Sequence, residues 1–186
     1  MKKYVSLFIL SCIISFSSTE VTILAQGGLG GFQANNVNSN SIVNAGVHIS
    51  LGKVMKLKNG RLNVNLGTGL EGGINKMVEF NTNKAIQASS ADVKQDNTDY
   101  KKELEKFHLY ISPFIFTELN GEVRENIKLY TGASIGTFHY IIANKSITKF
   151  SIKAKFGTIF KGNFTSEISV GYPQYITLSL GSKFNF

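Results

Sequence analysis

Cysteine is almost absent from this chain. One residue, Cys12, occurs in 186, which excludes a disulfide framework and any cysteine-based zinc site. Tryptophan is missing and proline occurs twice. Arginine is scarce as well. Of 20 basic residues only Arg61 and Arg124 are arginines, and the lysines are scattered. Planar bidentate contacts depend on arginine, so no nucleic-acid partner is expected despite a formal net charge of +8. Charged residues make up 17% of the chain, too few for a solvating disordered protein. The three histidines, His48, His108 and His139, lie on separate segments without ligand spacing. Neither a metal nor a cofactor is therefore expected. The N-terminal apolar run, Tyr4–Phe16, has thirteen residues, short of the ~20 that a membrane-spanning helix needs.

That run has the make-up of a secretory leader. Lys2 and Lys3 precede it and a polar stretch follows. The chain divides into a signal peptide, residues 1–25, and one domain, residues 26–186. Cleavage after Ala25 is favoured over cleavage after Ser17, leaving Gln26 first and no cysteine in the mature chain. Ile9-Leu10-Ser11-Cys12 partly resembles a lipobox, but the apolar run continues through Ile13 and Ile14 and no polar tether follows.

Helical periodicity is nearly absent beyond the leader, and period-2 alternation is nearly everywhere, which is the strand signal. The strands expected are 41–54, 60–72 with an extension to Phe80, 106–118, 122–141, 147–160, 163–173 and 174–186. Residues 27–36 are a weaker, Gly-rich eighth. Asn-Gly or Gly-Asn chemistry marks tight turns after Met55, near Asn120 and at 161–163. Between them lie a long polar loop, 81–105, and a shorter one at 143–147. Short turns at one end and longer loops at the other are the arrangement of an up-and-down barrel.

The two faces of the strands differ in kind. One carries Val47, Ile49, Leu66, Leu70, Ile111, Ile115, Ile135, Ile152, Phe156, Ile168, Leu178 and Leu180, without charge or amide. The other carries Asn44, His48, Ser50, Asn63, Asn65, Lys128, Ser134, Lys153, Lys155, Glu167 and Lys183. It also carries Tyr110, Phe114, Phe116, Tyr130 and Phe138, and nine strand glycines, among them Gly46, Gly132, Gly136 and Gly157. A soluble β-sandwich would put those glycines and phenylalanines in water, where glycine weakens a strand for no gain. A narrow barrel fills its interior with alternating small and large side chains. The expected fold is therefore all-β: an eight-stranded antiparallel up-and-down transmembrane β-barrel.

The last eleven residues, Ile176–Phe186 (ITLSLGSKFNF), alternate apolar residues and end on phenylalanine. This resembles the terminal strand of bacterial outer-membrane β-barrel proteins, with Ser182 the one departure. By size the mature chain is similar to the small eight-stranded OmpA/OmpX-type barrels, and its Lys/Asn-rich composition resembles Bacteroidetes-type envelope proteins. The resemblance implies a Gram-negative outer membrane as location, and outer-membrane lipids and lipopolysaccharide as surroundings. It also implies recognition by the barrel-assembly machinery through the strand ending at Phe186. It requires an even strand count with both termini on the periplasmic side, which promotes 27–36 to a strand.

Little catalytic chemistry is legible. Gly67–Gly72 fits G-x-G-x-x-G, but no helix follows to cradle a phosphate. His48, Ser50 and Glu71 share the inward parity and contain the residue types of an acyl-transfer triad. Some lipid A deacylase barrels use a His-x-Ser pair that continues with Asn and faces lipid. Here Leu51 follows and the pair faces inward. The lumen lysines, facing Glu167 and also Glu71, read as an ion-pair and water network, in an eight-stranded, porin-like architecture too narrow for a wide channel. Loop 81–105 is the candidate surface for an external partner. The expected role is structural or surface-interactive and not enzymatic. The alternatives are a secreted soluble β-barrel that binds an apolar ligand and a lipid A-modifying barrel enzyme.

Overall fold

The computed structural model describes residues 17–32, 40–57, 62–78, 107–142, 145–161 and 163–186. They form eight strands: β1 (Ser17–Phe32), β2 (Asn40–Lys56), β3 (Leu62–Val78), β4 (Phe107–Arg124), β5 (Ile127–Ile142), β6 (Lys145–Phe160), β7 (Phe164–Tyr172) and β8 (Ile176–Asn185). Each pairs antiparallel with its neighbour in sequence, and β8 closes on β1. The all-β, eight-stranded antiparallel barrel read from the alternation is the observed fold.

The registers fix its dimensions. The ladder leads from Leu29 on β1 through Ile176, Val170, Ala154, Ala133, Thr117, Leu66 and Lys53 back to Thr19, ten residues down the same strand. At about 3.3 Å per residue and 4.8 Å between strands, eight strands with that stagger tilt by about 40° and give a backbone radius of about 8 Å. The interior of such a barrel is taken up by side chains. Thr19 and Phe186 exchange backbone hydrogen bonds of 3.0 and 2.9 Å. Both ends of the barrel chain thus lie at the rim that carries the connections after β2, β4 and β6.

Alternation sets which side chains go in. Along β4 it is unbroken from Phe107, which faces out, to Asn120, which is buried. Glycines line the inner wall where neighbours come close. A Cβ on Gly157 would run into the Tyr130 ring, and one on Gly136 into the Pro113 carbonyl and the backbone of Phe114. Outside, Phe160, Phe164 and Phe184 mark a lower aromatic level, and Phe150, Tyr172 and Tyr175 an upper one. Phe150 and Phe160 stand ten residues apart on β6, which at this tilt is about 25 Å of height. The outward positions between them are apolar or Thr, Ser, Ala and Gly. The exposed cations Lys53 and Lys76 sit near opposite rims of this band, and Lys76 lies 5.6 Å from the Phe107 ring centroid.

The structure corrects the sequence reading in four places. The weak strand at 27–36 is β1, which begins ten residues earlier, at Ser17, and ends at Phe32. Residues 17–25, assigned to the leader, are paired strand. The turn expected near Asn120 does not form. β4 runs on to Arg124 and turns at Glu125 and Asn126, because Leu62 of β3 and Leu129 of β5 pair with Gly121 and hold it in the sheet. β6 starts at Lys145, two residues before the expected 147, whereas β3 extends past 72 to Val78 as expected. Turn chemistry did hold at 161–163, where Asn163 adopts φ 71° and donates its N–H to the Phe160 carbonyl at 3.1 Å. Asparagine tolerates that left-handed conformation better than most residues. Loop 81–105 lies outside the described residues.

Candidate functional site: the barrel lumen

Charge enters the lumen at positions chosen by strand parity, and the ten-residue stagger decides which charges meet. Near the rim that holds the termini, Glu118 of β4 binds Lys183 of β8 at 2.6 Å and also Lys155 of β6. Glu20 of β1 lies 3.4 Å from the same Lys183. Asn65 donates to Glu20 at 2.6 Å, which ties β3 into the knot. The Tyr130 hydroxyl donates to Glu167 at 2.9 Å, while the Lys183 ammonium lies 3.8 Å from the Tyr130 ring centroid. Lys155 sits 4.4 Å from the Phe116 ring centroid. Partners on β1, β3, β4, β5, β6, β7 and β8 converge in this way. A charge taken out of water needs such company, since an unpaired one costs several kcal/mol.

A second cluster lies higher. Glu71 of β3 accepts from Lys153 of β6 at 2.5 Å and stands 3.3 Å from His48 Nδ1. His48 Nε2 lies 3.2 Å from Ser50 Oγ, and its ring packs on Phe114 with centroids 4.9 Å apart. The serine, histidine and carboxylate singled out by residue type are thus in contact in triad order. All three are nonetheless buried among lumen side chains, and the carboxylate is shared with a lysine. Hydrogen-bond order alone does not make a hydrolase. A nucleophile also needs room for an acyl group and donors for the oxyanion.

Above this level aromatic and amide side chains join the lining. Gln26 donates to the Tyr110 hydroxyl at 3.0 Å, Tyr110 stacks on Phe138 at 4.8 Å, and Phe138 meets Tyr140 at 4.6 Å. Asn44 and Asn75, directly paired across β2 and β3, are buried with no hydrogen-bond partner on either amide among the described residues.

Of the lumen lysines expected, Lys153, Lys155 and Lys183 are buried and ion-paired, whereas Lys128 stands exposed beside the β4–β5 turn, opposite Glu122. Two carboxylates were missed. Glu20 was assigned to the leader, and Glu118 sat at the edge of a strand thought to end there. Their inward parity, continued past those boundaries, was the available signal. His139 faces outward, between the hydroxyls of Thr137 and Thr148 at 2.8 and 2.9 Å. No group of three or more His, Cys, Asp or Glu among the described residues is placed to hold a metal ion.

No family model matches the chain, and no curated protein matches it. The functional reading therefore rests on the barrel's two surfaces.

Proposed function

We propose that this is an integral outer-membrane β-barrel protein of a Gram-negative bacterium, of the small OmpA/OmpX-like kind. Its lumen is filled and polar, and its role is structural or surface-interactive, not catalytic. One observation carries the reading: a closed barrel wears a continuous apolar band about 25 Å tall on its outside, with charges in the lumen or near the rims. That height equals the apolar band of membrane barrels, ~25 Å, and the two aromatic levels correspond to their interfacial girdles. Closure leaves no sheet edge for lipid to meet. A water-soluble barrel that binds an apolar ligand would have the opposite lining, and soluble monomers rarely expose apolar patches above a few hundred Å².

In this reading the band meets outer-membrane lipids and lipopolysaccharide. The rim with the termini faces the periplasm, and β8, ending at Phe186, is the strand offered to the barrel-assembly machinery. Loop 81–105 is then extracellular and is the candidate contact for a surface partner. The test is fractionation followed by electrophoresis. The protein is expected to stay with the membrane through a carbonate wash and to change its mobility in SDS gels on boiling. Release by carbonate, with no change in mobility, would favour the secreted soluble protein.

A further inference from the structure

We infer that the leader of this chain is removed between Ser17 and Ser18, so that all of β1 but its first residue survives in the mature protein. The inference rests on the export reading above and deepens it, because it names the bond that is cut.

Two independent observations converge on that bond. The first is structural. Cleavage after Ala25 would leave β1 only Gln26–Phe32. That remnant keeps four of its ten partners on β8, those of Gln26 to Leu29, and seven of its sixteen on β2. The lower half of the barrel would open between β2 and β8 and expose unpaired backbone donors and acceptors. In lipid each such group costs several kcal/mol. The cut would also take away Glu20, which contacts Lys183 and accepts from Asn65, and Leu24, which is fully buried in the lumen. Thr19, whose backbone ties the strand to Phe186, would go too. Cleavage before Ser18 keeps all ten partners on β8 and fifteen of the sixteen on β2, losing only Ser17 opposite Met55. Ser18, opposite Val54, becomes the first residue of a strand that lacks only Ser17.

The second observation is chemical. Leader peptidases accept small residues at the first and third positions before the cut. Between Tyr4 and Ala25, Ser15-Phe16-Ser17 is the one place with serine or alanine at both positions. Ile23-Leu24-Ala25 puts a branched aliphatic at the third. The apolar core of the leader, Tyr4–Ile14, then ends just before the recognition residues, as such signals require. In the reaction, a leader peptidase directs water to the Ser17 carbonyl carbon. The bond to the Ser18 nitrogen breaks, Ser17 leaves as a carboxylate carrying the water oxygen, and both protons of the water go to the new Ser18 α-ammonium.

The test is N-terminal sequencing with intact-mass measurement of the full-length gene product, purified from the membranes of a Gram-negative host. The expected product begins at Ser18 and lacks 17 of the 186 residues. A start at Gln26, or at an acylated Cys12, overturns the assignment and leaves the outer-membrane reading standing. A membrane protein that retains Met1 overturns the export reading with it. Two variants sharpen the result. Ser17→Asp is expected to abolish processing and accumulate the longer precursor, whereas Ala25→Leu, an outward position on β1, leaves the N-terminus at Ser18. Normal processing of Ser17→Asp, or a block by Ala25→Leu, counts against the assignment.

Discussion

The outer and inner faces of this barrel are built on the same strands from alternate residues, yet they are specified differently. Outside, the neighbours of Ile135 are Ile115 and Ile152, and the face is apolar without further distinction. Its environment is uniform, so most apolar side chains serve. Inside, each residue answers to a particular one on another strand: Lys183 to Glu118, Gly157 to Tyr130, Glu71 to Lys153 and His48. One face demands only polarity of the right kind, and the other demands partners.

The largest effect is expected where a partner is taken away inside. Lys183→Met leaves Glu118 and Glu20 without their shared cation, and breaking a buried pair in this way costs about 3–5 kcal/mol. The loss is measurable as a lower urea midpoint for unfolding from lipid vesicles. An unchanged midpoint would mean that the lumen charges are solvated and the knot is not structural. Next comes the outer face. Ile135→Arg, in the middle of the apolar band, is expected to cost about 2–4 kcal/mol in a bilayer. Ile135→Leu should change little by the same titration. Equal tolerance of both substitutions would remove the lipid from the comparison.

Gly136→Ala tests the tightness of the inner wall. The added methyl meets backbone on β4, which cannot move aside as a flexible side chain would. Overpacking of this kind costs about 1–3 kcal/mol, visible as a lower boiling temperature for the gel shift. The smallest effect is expected at one of the inner face's exceptions. Asn75 is buried with neither amide atom hydrogen-bonded among the described residues, so Asn75→Leu should leave stability unchanged or raise it slightly. A large loss on unfolding would reveal a partner for this amide.

The pairing of faces was legible because period-2 alternation is local: each strand records its own two surfaces without reference to any other. So was the turn at Asn163, whose left-handed backbone depends on few neighbours. β1 was not legible in the same way. Its first half follows an apolar leader-like run and its second half is glycine-rich, so neither half carries the pattern by itself. What identifies Ser17–Ala25 as strand is the exposed edges of β2 and β8, which lie distant in sequence. The Asn120-Gly121 turn signal failed for a related reason. Pairing to β3 and β5 outweighed a preference that amounts to little once the sheet is in place. The Ser50–His48–Glu71 set was legible as residue types on one inward parity, but the distances that join them were not.

By itself the amino-acid sequence determined the strands, their two faces and the side that would carry charge, because these follow from residue chemistry repeated at the spacing of the pleat. Only the tertiary structure decided where β1 begins, which lysine meets which glutamate, and that Lys128 remains outside the lumen. Those outcomes depend on strand count and on a stagger of ten residues per circuit of the barrel, and both arise only when the first strand closes on the last.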